Sequence, residues 1–410
     1  MFLSNDMIFS LTKKYGTPLY VYSEQILRER CREMKNLLPN KSFKVNYSAK
    51  ANTNLELLKI IKEEGLDVDA MSPGEIYIEQ LAGFESKQIF FISNNISAEE
   101  MRFAIDRDIL ISVDSLSQLE MYGQINSGGK IAVRFNPGKG AGHHEKVITA
   151  GKKTKFGVQK EQIPQVKDII RKYNLKLVGI NQHIGSLFLD WRDYIDGVCS
   201  FIEIAKEFPD LSFIDIGGGF GVPYKPDESR LDLNRLGKEL DIVLKGFLEE
   251  YPNKDIIFKI EPGRYIVAEC GVLLGSINSV KNSFGTTYVG TDIGFNVLAR
   301  PVMYDSYHEM EIVKRNTGND DKNNNDTRLT ATIVGNICES GDILARDREI
   351  KAADVGDKLV IFNAGAYGYV MSSNYNCRLR PAEVLIDLNG EARLIRKRDT
   401  LESLAQNFPT

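Results

Sequence analysis

Four short motifs in this chain set reactive side chains beside residues that would let them act. The first is Lys44-Val-Asn-Tyr-Ser-Ala-Lys-Ala-Asn-Thr-Asn54, in which Lys50 is flanked by the small residues Ser48, Ala49 and Ala51. A lysine stripped of water by such neighbours is held in its neutral, nucleophilic form and suits imine chemistry. Taken alone, it reads as a surface lysine in a strand-to-helix loop. The second motif, Gln182-His183-Ile184-Gly185-Ser186, presents an imidazole, a residue type more often found hydrogen-bonded in a core than in catalysis. The third, Asp215-Ile-Gly-Gly-Gly-Phe-Gly221, has three consecutive glycines. Their backbone N–H groups can approach and cradle an anion, typically phosphate, although a tight turn explains them as well. It is not the dinucleotide fingerprint, because no acidic residue follows at the required place on a next strand. The fourth, Glu261-Pro262-Gly263-Arg264, pairs a carboxylate with a guanidinium that would otherwise simply neutralise it.

Together these four motifs match the needs of one cofactor. Pyridoxal phosphate requires a lysine for its aldehyde, an anion cradle for its phosphate, a carboxylate for its pyridine nitrogen and a flat group against its ring. Lys50, Gly217 to Gly219, Glu261 and His183 are the candidates. A carboxylate at the ring nitrogen keeps it protonated and favours reactions that pass through a full carbanion, decarboxylation among them. Further along lie Cys338-Glu-Ser-Gly-Asp342, Gly365-Ala-Tyr-Gly368 leading to Met371-Ser-Ser-Asn-Tyr-Asn376, and Arg300-Pro-Val-Met-Tyr304, whose guanidinium and phenol could grip a carboxylate. A cysteine such as Cys338 is otherwise usually a small buried hydrophobe.

The elements that must position these groups follow from hydrophobic periodicity. Strands are predicted at Ser42 to Tyr47, Leu66 to Met71, Gln88 to Ser93, Ile109 to Asp114, Lys130 to Asn136, Leu177 to His183, Phe213 to Ile216 and Ile256 to Glu261. Helices are predicted between them, beginning with Leu55 to Glu64, capped by Asn54 and burying Leu57, Leu58 and Ile61 on one face. Eight strands, each separated by a helix, predict a (β/α)8 TIM-type barrel, and its carboxyl-end rim is where all four motifs fall. After Glu269 strands predominate (Gly271 to Val280, Thr286 to Thr291, Thr330 to Val334, Lys358 to Phe362, Ala382 to Leu388, Ala392 to Arg396), which predicts an all-β C-terminal domain of Greek-key or barrel-like form. The polar 315–328 segment reads as a solvated loop.

At 410 residues the chain is too long for one ordinary core, in keeping with two domains. A net charge of −4 with interspersed signs argues against nucleic acid, and no apolar run approaches a membrane span. Five scattered cysteines without a C-x-x-C pair fit reduced thiols and not a zinc site, so no metal is expected and a cytoplasmic location is. The N-terminus has no basic region before its apolar patch and does not read as a secretory signal.

With these segments in place, the sequence resembles the diaminopimelate decarboxylases. These belong to the alanine racemase-like barrel class of pyridoxal-phosphate enzymes, together with ornithine decarboxylase. The resemblance runs from about Thr17 to Arg396 and is most specific at Tyr47-Ser-Ala-Lys-Ala-Asn52, His183 to Ser186, Gly217 to Gly221, Glu261 to Arg264, Cys338 to Asp342 and Gly365 to Asn376. Asn136-Pro-Gly, Gly142-His-His-Glu and Thr154-Lys-Phe-Gly157 also match. It implies that Lys50 forms the covalent link to the cofactor and that His183 stacks on the ring. Ser186, Gly218 and Gly219 would hold the phosphate, with backbone from Glu261, Pro262, Gly263 and Arg264, and Asp69 would lie near the lysine. Arg264, Arg300 and Tyr304 would bind substrate carboxylate, Glu339 the distal amine, and Tyr367 both cofactor and substrate. Cys338 matches a proton donor that enters from the other subunit of a head-to-tail homodimer. The domains would be 26–268 and 1–25 plus 269–410. Leu187, where many members have glutamine, and Cys377 and Leu379 depart from the family without touching a proposed role. His308 looks like a family feature without a derived role.

The implied reaction is meso-2,6-diaminopimelate to L-lysine and CO2. The alternatives are decarboxylation of another diamino acid such as ornithine, or of a conjugated intermediate, and a non-catalytic cofactor-carrying homologue. The last would be expected to have lost Lys50 or Cys338. A racemase fits less well, because it would prefer a weakly basic or arginine-paired ring nitrogen.

Overall fold

The computed structural model describes residues 2–39, 42–92, 94–138, 154–315 and 327–409. The Gly142-His-His-Glu motif and residues 316–326 of the expected polar loop lie outside them. The chain divides into two compact units. One comprises Arg28–Pro223 and Ser229–Ile266, the other Met1–Leu27, Tyr224–Glu228 and Val267–Thr410.

The first unit is the expected barrel. Its strands, in chain order, are Phe43–Ser48, Asp67–Ala70, Ile89–Ile92, Leu110–Val113, Lys130–Asn136, Lys176–Asn181, Phe213–Asp215 and Ile257–Ile260. Each pairs in parallel with the next, and the eighth returns to the first, with Ile260 opposite Val45. Closure removes both sheet edges, so no strand is left with unpaired backbone. Inside the barrel Phe90 and Phe213 meet edge to face at 5.4 Å, and the Lys259 ammonium sits over both rings.

The helices begin where capping residues are written into the chain. Asn54, Ser72, Ser97 and Ser115 each accept a hydrogen bond from a backbone N–H of the first turn, a contact worth about 1 kcal/mol. The helix Leu55–Glu63 buries Leu57, Leu58 and Ile61, as its period predicts.

The second unit is built on a nine-stranded sheet, mostly antiparallel. The fully buried strand Leu19–Ser23 lies within it, antiparallel to Gly271–Ser283 and parallel to Ala382–Ile386. Three elements of this unit are among those that escaped the sequence reading. A helix, Asn5–Tyr15, occupies the lead-in, capped by Ser4 and burying Ile8 and Leu11. Met310–Val313 is only four residues long. Ile343–Lys351 carries the run Arg346-Asp-Arg-Glu349 and a left-handed Asp347, and so resembles a loop in composition. No helix among the described residues is long and apolar enough to cross a membrane.

Candidate active site

In the barrel unit the expected residues stand at the strand ends. Lys50 lies in a single helical turn, Ala49–Ala51, directly after the first strand. Tyr47 donates to the Asn52 carbonyl at 2.9 Å, and Asn52 Oδ1 accepts from Asn54 N–H at 2.9 Å, which locks the turn to the following helix. The small residues around Lys50 have a packing reason. A Cβ on Gly263 would fall within 2.9 Å of Ser48 Cβ and 3.2 Å of Ala51 Cβ, so the ends of the first and eighth strands touch through residues with almost no side chain. Ser48 N–H donates to the Pro262 carbonyl at 3.1 Å across the same junction.

The glycine run is likewise dictated by close approach. A side chain on Gly217 would collide with the Gln182 carbonyl, one on Gly218 with the Glu261 carbonyl and one on Gly219 with that of Gly185. The seventh strand is thus wedged between the ends of the sixth and eighth, bringing the glycines, His183 and Glu261 together. Gly218 N–H points at His183 Nδ1, 3.3 Å away. The imidazole therefore carries its proton on Nε2. Burial first, and then the charges of Lys50 and Arg134, hold His183 well below its usual range, so the ring is neutral. Arg264, nearly buried, donates to Ser186 Oγ at 3.2 Å.

Three buried carboxyls face this space. Burial pushes Asp69, Asp215 and Glu261 upward, and each is pushed or held by charges of the same cluster. Glu261 raises both Asp69 and Asp215, while Lys50 lowers Asp69 and Glu261. Asp215, like Asp69, is pushed well above its usual range, and its Oδ2 is buried with no hydrogen-bond partner among the described residues. Burial raises Glu261, and Lys50 and then Arg134 act against that push. Asp69 Oδ2 accepts from Ser48 Oγ at 2.7 Å, whereas Asp69 Oδ1 and Glu261 Oε1 are buried with no hydrogen-bond partner among the described residues. Buried carboxylate oxygens left in that state are costly unless a ligand donor meets them.

Arg134 and Asp215 were missed by sequence reasoning. Both carried a signal. Arg134 is a charge inside the apolar strand Ala132-Val-Arg-Phe, and Asp215 stands at a strand end two residues before the glycine run.

In the second unit Arg300 is buried at the start of the short helix Arg300–Tyr304. Cys338 and Glu339 are exposed on a tight turn closed by Asp342, whose carboxylate accepts from Phe295 N–H and Ile337 N–H, both at 2.7 Å. Cys338 N–H donates to Asn376 Oδ1 at 2.7 Å, so two motifs far apart in sequence meet. Tyr367 is half-buried and left-handed (φ 56°).

An amine, a neutral flat imidazole, an acceptor with an unsatisfied oxygen and a glycine-built junction fit pyridoxal phosphate, and the fold with this site defines a pyridoxal-binding barrel. The family model of the pyridoxal-binding domain of pyridoxal-dependent decarboxylases matches residues 24–268. Diaminopimelate decarboxylase of Methanothermobacter thermautotrophicus is 41% identical over 409 residues, covering 97% of this chain and 94% of that one. A crystal structure of diaminopimelate decarboxylase superposes with a TM-score of 0.90 at 32% identity, covering 99% of this chain and 96% of the other. The Helicobacter pylori enzyme of that name, solved in complex with L-lysine, gives 0.88 at 30% identity, covering 97% and 98%. The chain belongs to the diaminopimelate decarboxylase family of pyridoxal-dependent decarboxylases.

Proposed function

We propose that the chain decarboxylates meso-2,6-diaminopimelate to L-lysine and CO2, the last step of lysine biosynthesis. The observation that carries this reading is Glu261, a buried carboxyl with one unsatisfied oxygen, on which Lys50 is the largest charge acting against burial. Lys50 holds the aldehyde end of the cofactor, and Glu261 keeps a proton on the pyridine nitrogen. Pyridoxal phosphate bound there supplies the electron sink that takes up the pair left as the bond to the departing carboxylate breaks.

The remaining roles fall to residues of both units. Neutral His183 lies flat against the ring without adding a charge. Ser186, Gly218, Gly219 and backbone from Glu261 to Arg264 bind the phosphate, and Asp69 sits by Lys50. Arg264, Arg300 and Tyr304 grip substrate carboxylate, Glu339 binds the distal amine and Tyr367 meets both ligands. Cys338 delivers the proton to the α-carbon, reaching the site of the other subunit in a head-to-tail homodimer. The functional division is a cofactor barrel, 26–268, and a substrate-reading β domain, 1–25 plus 269–410, in a cytoplasmic enzyme.

The test is CO2 release by the purified protein supplied with pyridoxal phosphate and single amino acids. Diaminopimelate is expected to be turned over fastest. Faster release from ornithine overturns the substrate assignment, and release from none of them overturns the reaction.

A further inference from the structure

His308 is fully buried in the second unit, eight residues beyond Arg300, and none of the roles above uses it. Its two ring nitrogens meet different partners. Nδ1 lies 2.8 Å from the Phe362 carbonyl oxygen, and Nε2 lies 2.8 Å from Nη1 of Arg300. A carbonyl only accepts and a guanidinium only donates, so the partners fix the tautomer: the proton is on Nδ1, and the Nε2 lone pair faces Arg300. Two further contacts hold the assembly. Arg348 donates to the His308 backbone carbonyl at 2.8 Å, and Tyr224 lies edge-on to the imidazole (5.2 Å) with its ring 4.7 Å from the Arg300 guanidinium carbon.

We infer that His308 is a positioning residue. It sets the plane of the Arg300 guanidinium, and thereby makes a distal carboxylate a requirement for tight binding at that site. This deepens the proposed function, since it rests on Arg300 gripping a substrate carboxylate. The choice of acceptor matters physically. An aspartate or glutamate in place of His308 would orient Arg300 equally well, but it would neutralise the guanidinium and compete with the incoming carboxylate. Imidazole accepts one N–H and leaves the positive charge intact. Tyr224 acts in the same direction, because an aromatic face flattens the guanidinium without quenching it.

The experiment uses the cofactor-loaded enzyme with His308→Asn and His308→Gln. The asparagine amide can still donate to the Phe362 carbonyl but cannot reach Arg300, whereas the longer glutamine places a neutral acceptor near the Nε2 position. His308→Asn is expected to raise KM for diaminopimelate roughly tenfold with kcat within about twofold, and His308→Gln to restore most of the loss. Binding read from the absorbance of the bound cofactor separates this from general damage. L-lysine, which keeps a carboxylate, should weaken roughly tenfold in His308→Asn, while 1,5-diaminopentane, which has none, stays within about twofold. Equal losses for both ligands, or no loss for lysine, overturn the inference. If His308→Asn does not fold, the same comparison is made on His308→Gln. Near-native lysine affinity supports the inference, and parallel loss of both ligands overturns it. Wild-type enzyme that binds lysine no better than 1,5-diaminopentane would instead sink the reading of Arg300 itself.

Discussion

The rim of the barrel and the Arg300 cluster of the β unit solve opposite electrostatic problems. At the rim, three carboxyls are buried together, Glu261 makes Asp69 and Asp215 harder to ionise, and Lys50 and Arg134 oppose the push of burial on Glu261. Around Arg300, a buried cation meets an imidazole nitrogen and the face of a phenol ring. The first arrangement stores unsatisfied acceptors for a cofactor that brings donors. The second holds a cation against groups that bring no negative charge of their own, which is what the proposed grip on a substrate carboxylate needs. A site need not be neutral in isolation. It needs to be incomplete in the sense that its ligand completes.

The largest effect should come from the rim. Lys50→Ala removes the covalent anchor, so the absorbance of the lysine-linked cofactor and turnover should both disappear, and persistence of both refutes the assignment. Glu261→Gln is nearly isosteric but leaves no anion to hold a proton on the ring nitrogen. It should lower kcat by roughly 10²- to 10³-fold while the protein still takes up pyridoxal phosphate. A loss under about threefold would mean that Asp69 or Asp215 holds that proton, and the assignment of Glu261 to the ring nitrogen would fail.

Cys338 tests whether the two regions cooperate across subunits. Cys338→Ser should lower kcat roughly a hundredfold, as expected for loss of a positioned proton donor. If the site is shared, mixing inactive Lys50→Ala with Cys338→Ser subunits should restore about a quarter of wild-type activity, because half the dimers are mixed and each has one intact site. No recovery on mixing, with subunit exchange shown, would place both residues in one chain's own site.

The two regions also differed in how far they could be read from sequence. The barrel was legible because its signals are local and periodic: eight apolar runs, six of them followed by a side-chain cap such as Asn54 or Ser72, and reactive residues at the run ends. Lys50, His183, Glu261 and the glycines could be grouped because the fold puts strand ends side by side. Arg134 and Asp215 were overlooked because a charge within an apolar strand reads as an irregularity until the barrel interior is known. In the β unit the roles of Cys338 and Glu339 came from resemblance alone, and Arg300 offered only a guanidinium near a phenol. Pairings such as Cys338 with Asn376 span loops whose meeting no period announces. The strand Ile343–Lys351 was invisible for a related reason, since its charges satisfy a solvent-facing edge and mask its register.

The smallest expected effect on activity is at Glu79, and it bears on what makes a buried acid functional. Glu79 lies on the inward face of the helix Pro73–Leu81, with no exposure and with neither carboxyl oxygen hydrogen-bonded among the described residues. Burial first, and then Asp69 and Glu75, push it up to about 9, against an ordinary value of 4.5. The folded carboxyl binds its proton more tightly than the unfolded one, so its contribution to stability is fully present below pH 4.5 and is lost as the pH rises to about 9. That loss amounts to about 1.4 kcal/mol per pH unit within the window. Glu79→Leu should therefore be more stable than wild type by roughly 5 kcal/mol at pH 8, with the gain shrinking toward pH 4.5, where only the lesser cost of an unpaired carboxyl remains. Denaturant melts at the two pH values measure it. Activity should stay within about twofold, because Glu79 has unsatisfied oxygens but no role at the cofactor. A large fall in kcat would extend the acid cluster of the rim through Asp69 into the surrounding helix, and unsatisfied acceptors would then mark the site more widely than the strand ends alone.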